Sequence, residues 1–194
     1  MIYAIFRLLI IGKNKILKAL AVIGLILFVW TCGYFGNSVH AWFGEVWKPS
    51  EYKGLNATAF LETDFSEDVG GIKWIKENVK DVVLEANGDS YSEYERVSAM
   101  TGLPTIMGWY VHEWLWRGDL ADINAKIADV ENIYTSTDEA HVKSLLEEYN
   151  VSYIFVGSCE RKKYGAQLNN DMLKSMGEVV YQDDEWQTYI VKVK

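Results

Sequence analysis

The segment IYTSTDEAHVKSLLEEYNVSYIFVG, residues 133–157, decides the fold because it combines a helical pattern, a tight turn and a strand. Thr135 or Thr137 is suited to cap the helix at its N-terminus. The apolar stripe of this helix consists of Leu145, Leu146 and Tyr149. Asn150 suits a left-handed turn, and the apolar run after it is typical of a buried strand. This order predicts an α/β domain with a mostly parallel sheet.

The sequence on both sides of this segment continues the alternation of helical and strand patterns. Ser66 is suited to cap a helix that runs through EDVGGIKWIKENV. Further helices are predicted within residues 93–100, 119–130 and 166–176. Strands are predicted in VVLEA (82–86) and LPTIMGW (103–109), and a C-terminal hairpin in EVVYQD (178–183) and TYIVKVK (188–194). We therefore expect a small, three-layer-like α/β domain with a mostly parallel sheet and a C-terminal hairpin.

An apolar run, ILKALAVIGLILFVWTCGYF (16–35), precedes this domain. No charged residue occurs from Ala19 to Gly44, roughly 25 residues, which is enough to cross a hydrocarbon core of about 30 Å. The aromatic residues suited to the outer membrane interface are Trp30, Tyr34, Trp42 and Trp47. The alternative is a secretory signal peptide, but TCGYFGNS is a poor cleavage site. We predict an interfacial segment and transmembrane anchor (1–44), a linker (45–65) and an outer domain (66–194).

The charge is distributed unevenly along the chain. The basic residues Arg7, Lys13, Lys15 and Lys18 precede the apolar run, which predicts a cytoplasmic N-terminus and an extracytoplasmic C-terminal domain. The other 15 basic residues are opposed by 27 acidic residues, a net charge of −12. A domain this acidic is a poor nucleic-acid binder, because phosphate contacts require Lys and Arg.

Polar and aromatic residues are concentrated after the predicted strands. The three trailing segments are NGDSY (87–91), WYVHEWLWRG (109–118) and SCERKKYG (158–165). If the strands are parallel, these segments share one rim of the sheet, where ligands of open α/β folds bind. The alternative is an aromatic plug of the core whose charged side chains point outward.

The common catalytic motifs are missing from this sequence. His112 and Glu113 begin like the zinc peptidase motif, but Trp116 stands where its second histidine would be. The chain has no G-x-S-x-G, no P-loop and no G-x-G-x-x-G. Cys32 and Cys159 are far apart in sequence and have no cysteine neighbours at metal spacing, and Cys159 is interpreted as a buried structural thiol. We therefore assign no catalytic residue, no metal ligand and no cofactor.

Three motifs, TGLPTIMGWYVHEWLWRG, IYTSTD and YIFVGSCERKKYG, resemble the C-terminal end of a family of multi-pass membrane proteins of archaea and bacteria. The family is known for an N-terminal triple-tyrosine motif and is related to GT-C-type lipid-linked-sugar glycosyltransferases. The segments LNATAFL and VVLEANGDSYSEYERVSAMTG are similar to it as well. The resemblance implies signature positions at Glu85, Tyr91, Arg96, Thr101, Gly102, Trp109, His112, Glu113, Trp116, Arg117, Gly118, Tyr134, Glu160, Arg161 and Tyr164.

The resemblance implies a domain that helps to hold a polyprenyl-phosphate sugar or its acceptor. The predicted substrate-binding residues are Tyr91, Arg96, Trp109, His112, Glu113, Trp116, Arg117, Glu160, Arg161 and Tyr164. Among these, Arg117 and Arg161 would contact phosphate. Aromatic rings would flank sugar or lipid, namely those of Tyr91, Trp109, Trp116 and Tyr164. His112 and Glu113 would orient the two arginines or an acceptor hydroxyl. The family's other membrane helices are absent here, so we expect the C-terminal portion of a longer protein, inactive in glycosyl transfer alone, in which a divalent metal would belong only to the full assembly.

Two other functions remain open from the sequence. The first is a non-enzymatic interaction module that docks on a separately encoded multi-pass membrane partner. The second is a freestanding metal-dependent hydrolase, which requires bound metal in stoichiometric amount. The expected partners are membrane lipid, a lipid-linked sugar and the multi-pass protein, with no nucleic acid.

Overall fold

The computed structural model describes residues 2–43, 56 and 58–193. The chain divides into two compact units, Met1–Asn56 and Ala57–Lys194. Most of the predicted linker (45–65) lies outside the described residues, as does Trp47. Its final part contains a short helix, α3 (Leu61–Asp64), and Leu61 of that helix is buried.

The N-terminal unit consists of α1 (Ile2–Ile11) and α2 (Lys15–Phe43). The side chain of Asn14 accepts a hydrogen bond from the N–H of Ile16 at 2.9 Å and so begins α2. Residues Lys15–Trp42 form a 28-residue helix, roughly 42 Å long, that contains an 18-residue stretch with a mean hydropathy of 2.2. By length and composition this helix fits a single-pass membrane anchor, whereas the side on which the second unit lies stays a prediction.

Within the described residues, four strands form one sheet in the order β1-β2-β4-β3. The strands are β1 (Val82–Leu84), β2 (Val151–Val156), β3 (Gly177–Asp183) and β4 (Thr188–Val193). Strands β1 and β2 are parallel, while β4 pairs antiparallel with both β2 and β3. The α/β class and the C-terminal hairpin are confirmed, and the sheet of the described residues is mixed where a mostly parallel one was expected.

The difference comes from LPTIMGW (103–109), which is not a strand. Its backbone meets β1 at one described hydrogen bond, from the N–H of Val83 to the carbonyl of Pro104 at 3.0 Å. Proline has no N–H with which to continue a ladder, so the segment runs beside the sheet edge without joining it.

The helices of the second unit follow the predicted order with shifted ends. They are α4 (Ser66–Asn78), α5 (Arg96–Thr101), α6 (Tyr110–Arg117), α7 (Leu120–Thr135), α8 (Glu139–Glu148), α9 (Ser158–Tyr164), a 3₁₀ turn (Gly165–Gln167) and α10 (Asn170–Ser175). Two predicted caps were wrong. Asp138 caps α8 in place of Thr135 or Thr137, because its carboxylate accepts the N–H of His141, and α4 follows Phe65, with Ser66 as its first residue. Asn150 has the predicted left-handed conformation, with φ of 52°.

Helices cover both faces of the sheet. Neighbouring residues of a strand point to opposite faces, so each strand contributes apolar side chains to both. Leu84, Ile154 and Val191 pack with α7, α8 and α10 in one buried cluster. Their neighbours Val83, Phe155 and Ile190 pack with α3, α4 and α5 in the other. The second unit therefore has three layers. In its sheet, the neighbouring strands β1 and β2 point their carboxyl ends the same way.

Candidate functional site

The carboxyl end of β1 is fastened to the start of α5 by a buried carboxylate. Glu85 accepts hydrogen bonds from the N–H groups of Val97 and Ser98, each at 2.7 Å. Burial raises the pKa of Glu85 to about 7, and these hydrogen bonds and the nearby Arg96 oppose the shift. The predicted signature residue Glu85 thus positions the loop that follows β1.

Arg96 is the centre of a buried ionic network. Its Nε donates to Asp68 at 2.8 Å, and its Nη2 donates to Glu160 at 3.2 Å. Glu160 also accepts the N–H of Ala86 at 2.9 Å and that of Gly157 at 2.8 Å. Burial alone would lower the pKa of Arg96, but Glu160 and Asp68 raise it. The network joins the ends of the two parallel strands, so Arg96 and Glu160 hold the loops in place.

The loop between β1 and α5 is held in an uncommon conformation. Tyr91 and Glu95 have φ of 61° and 57°, a left-handed region in which residues other than glycine are strained. Glu95 is buried and accepts the N–H of Gly88 at 3.0 Å, while its Oε2 has no partner among the described residues. Burial raises the pKa of Glu95 to about 8, so its carboxyl group is largely uncharged at neutral pH.

Three rings meet above this loop. The ring centroids of Tyr91 and Trp109 are 5.5 Å apart, those of Tyr91 and His112 5.1 Å, and those of Trp109 and His112 5.4 Å. Trp109 donates its indole N–H to the carbonyl of Tyr94 at 2.9 Å, and His112 Nδ1 lies 3.0 Å from the hydroxyl of Ser90. We call Tyr91, Trp109 and His112 the aromatic triad. Tyr91 is 85% exposed, so the triad is accessible from solvent.

Helix α6 carries further exposed groups beside the triad. Leu115 and Trp116 are exposed, the latter to 86%. Glu113 and Arg117 form an ion pair one helical turn apart. The Arg117 side chain stays 58% exposed in this pair, so its remaining N–H groups are available to a ligand.

A shallow cavity of about 400 Å³, widely open to solvent, lies where the trailing segments meet, and we call it the Lys163 cavity. Its lining residues are Asn87, Gly88, Asp89, Tyr94, Tyr110, Ile127 and Lys163. Lys163 Nζ donates to the backbone carbonyl of Asn87 at 2.6 Å and to its side-chain oxygen at 2.9 Å. The same ammonium lies 5.7 Å from the ring centroid of Tyr94 and 5.3 Å from that of Tyr164. Partial removal from water lowers the pKa of Lys163.

The other predicted residues of α9 lie elsewhere. Arg161 donates to the carbonyl of Gln187 at 3.0 Å and contacts Glu67 at 3.3 Å. It lines a separate cavity of about 310 Å³ next to the β3–β4 hairpin. Tyr164 is buried, and its ring stacks on that of Tyr134 with a centroid distance of 4.9 Å. The substrate contacts predicted for Arg161 and Tyr164 therefore stay hypotheses, and neither residue belongs to the aromatic triad.

The three trailing segments do meet at one rim, although the middle one does not follow a strand. Besides the contacts of Glu160 and Lys163 with the end of β1, the N–H of Tyr110 donates to the carbonyl of Gly88 at 3.3 Å. Sequence reasoning missed Asn87, Glu95 and Lys163, although all three lie in or next to the segments it selected. It also missed Asp68. This acidic residue lies in a helix 28 positions before Arg96, and no local pattern in the sequence indicates their contact.

Among the described residues, no group of three or more His, Cys, Asp or Glu side chains is arranged to hold a metal ion. Cys159 is buried as predicted, and burial raises the pKa of its thiol to about 12, which keeps it protonated. A divalent metal in the full assembly stays a prediction.

Comparison with known proteins gives a distant likeness of structure. No known protein family matches the sequence, and no curated protein is similar to it. The chain is similar to the crystal structure of the C-terminal globular domain of an oligosaccharyltransferase from Archaeoglobus fulgidus, with a TM-score of 0.40 and 11% identity, covering 66% of this chain and 97% of that one. Values this low do not indicate what this chain binds or does, and membership of the triple-tyrosine family stays a prediction.

Proposed function

We propose that this chain is the membrane-anchored outer domain of a glycosyltransferase-like membrane protein, and that it helps to bind a lipid-phosphate sugar or its acceptor. The observation that carries the proposal is the aromatic triad. Its rings contact one another at the junction of the trailing segments, with Tyr91 exposed and Trp109 and His112 half-buried. Rigidly placed aromatic faces are suited to the apolar faces of sugar rings.

The backbone beneath the triad supports a binding role. Glu85 and the network of Arg96 fix the ends of β1 and β2. A site held by buried hydrogen bonds loses little conformational entropy when its ligand binds, and this improves affinity. The exposed guanidinium of Arg117 supplies the planar fork that phosphate groups accept.

The anchor determines what kind of ligand this domain can meet. A helix that fits a membrane span ties the domain to a bilayer surface, where lipid-linked sugars are concentrated. The domain would act in binding, with transfer chemistry supplied by a multi-pass membrane protein.

The exposed apolar side chains of α6 favour a second candidate, a non-enzymatic module that docks on a multi-pass partner. Leu115 and Trp116 expose apolar surface, and exposed apolar patches mark sites of contact with other proteins or with membranes. In that case both side chains would be buried by the partner, and loss of either would release it.

The experiment is a binding titration of the full chain in lipid nanodiscs with a polyprenyl-phosphate hexose. We expect Trp109→Ala and Trp116→Ala to weaken binding at least about tenfold, a loss of about 1.4 kcal/mol. Trp186→Ala, on the β3–β4 turn, is the matched control and should bind normally. Equal affinity of all three variants and the parent chain would overturn the proposal. If the parent chain does not bind but captures a multi-pass protein through Trp116, the docking module is the correct function.

A further inference from the structure

The Lys163 cavity has the size and the lining of a small-molecule site. Its volume of about 400 Å³ lies within the roughly 300–1,000 Å³ typical of ligand pockets. Tyr94, Tyr110 and Ile127 supply apolar surface, and Asn87, Asp89 and Lys163 supply polar groups. This mixture of flat apolar walls and a few polar groups is suited to a ring that carries hydroxyl groups.

The polar groups have unused hydrogen-bonding capacity. Lys163 Nζ donates to Asn87 through its backbone and side-chain oxygens, which leaves a further N–H on the ammonium. The Asn87 side-chain NH₂ and the Asp89 carboxylate have no hydrogen-bond partner in the part of the chain that the structure describes. Donors and an acceptor are thus available together, and each hydroxyl of a sugar both donates and accepts.

The charge balance favours a neutral ligand. The ammonium of Lys163 interacts electrostatically with the carboxyl groups of Glu131, Glu95, Glu160 and Asp89. Glu95 is largely uncharged and Glu160 is paired with Arg96, so Glu131 and Asp89 are the two acids that would repel an added carboxylate or phosphate. A neutral ring would meet no such repulsion.

The loop that lines the cavity is held by its own backbone conformation and by a contact with α6. The strained left-handed conformations at Tyr91 and Glu95 shape the loop that lines it, and strained backbone of this kind is concentrated at functional sites. The backbone bond from Tyr110 to Gly88 fixes α6 against that loop. Glu95 accepts the Gly88 N–H through Oε1, and its buried Oε2 has no hydrogen-bond partner among the described residues.

We propose that the Lys163 cavity binds one neutral hexopyranose ring, with Lys163, Asn87 and Asp89 bonded to its hydroxyl groups and Tyr110 against its face. This assignment deepens the proposed function and rests on it, since the ring stands for the sugar unit of the same lipid-linked ligand. The aromatic triad and Arg117 would then contact the rest of that ligand.

The test uses the full chain in nanodiscs, prepared with a detergent that contains no sugar. The probes are the methyl pyranosides of glucose, mannose and galactose, measured by saturation-transfer NMR and calorimetry. We expect at least one to bind, and Lys163→Met and Tyr110→Ala each to weaken it at least about tenfold. Lys162→Met is the matched control, because Lys162 pairs with Glu93 outside the cavity, and it should bind as the parent chain does.

Several results would overturn the assignment. One is that none of the three glycosides binds the parent chain. Another is that Lys163→Met, folded by circular dichroism, binds normally, and a third is that methyl glucuronide binds tighter than the neutral glycosides. If free glycosides fail while the polyprenyl-phosphate hexose still binds through Trp109, the cavity assignment falls and the proposed function stands. If only the free glycosides bind, the proposed function falls.

Discussion

Arg96 and Glu160 form a buried ion pair, Nη2 to Oε2 at 3.2 Å, that joins α5 to the start of α9. The same carboxylate accepts the N–H groups of Ala86 and Gly157, so one side chain holds the ends of two parallel strands. The trailing segments that carry the candidate site are therefore set in place from inside the domain.

Loss of Arg96 should destabilise the domain strongly. Arg96→Met leaves Asp68 and Glu160 as uncompensated buried carboxylates, and we expect a decrease of about 3–5 kcal/mol in the free energy of unfolding. The measurement is urea unfolding in detergent. Arg117→Met is the control, since its exposed pair with Glu113 should contribute no more than about 1 kcal/mol. Similar effects of the two substitutions would contradict the role given to the network.

Glu95 should make the domain less stable as the pH rises. Its pKa is about 8 in the folded chain against 4.5 for an ordinary glutamate, so the folded state binds the proton more tightly. The contribution of Glu95 to the stability of the domain is therefore fully present below about pH 4.5 and is lost as the pH rises through about 8. We expect Glu95→Gln to reduce the decrease in thermal midpoint between pH 5.5 and 8.5. Glu85, with a pKa of about 7, supplies the part that remains. An unchanged slope in the variant would show that Glu95 is ionised in the folded state.

Gly88 should be needed for the shape of the Lys163 cavity. A methyl group at this position would overlap the ring of Tyr94, which lines the cavity. We expect Gly88→Ala to displace that ring and weaken glycoside binding while the domain stays folded. Gly102→Ala is the control for strain, because Gly102 has φ of 77° and open space around it. Gly102→Ala should bind glycosides as the parent chain does. An equal loss of glycoside affinity in both variants would argue against a specific role for Gly88.

The orientation of the chain can be tested by cysteine labelling in intact cells. With Cys32 and Cys159 replaced by serine, we expect Thr137→Cys on the second unit to react with a membrane-impermeant maleimide. Lys13→Cys should react only after permeabilisation, because basic residues before the span favour the cytoplasm. The reverse pattern would place the second unit inside the cell.

The α/β class, the long apolar helix and the C-terminal hairpin could be predicted, because each follows from local composition, periodicity and turn residues. LPTIMGW could not be distinguished from a strand by its sequence pattern, since a short apolar run is typical of a strand even though Pro104 cannot donate to a ladder. The N-cap of α8 was misassigned because several capping residues stand in a row there. The trailing segments lie together as predicted, and their role in binding stays a prediction. Their division into a buried network and an exposed triad depends on contacts across 64 positions, from Arg96 to Glu160, which no local pattern contains.

Photocrosslinking tests the central claim most directly. A polyprenyl-phosphate hexose with a diazirine on its sugar ring would be irradiated with the full chain in nanodiscs, and the labelled peptides mapped by mass spectrometry. We predict labels within residues 87–118 and at Lys163, which line the triad and its cavity. Labels confined to Lys15–Phe43, or to the separate cavity beside Arg161, would contradict the claim that these trailing segments bind the sugar.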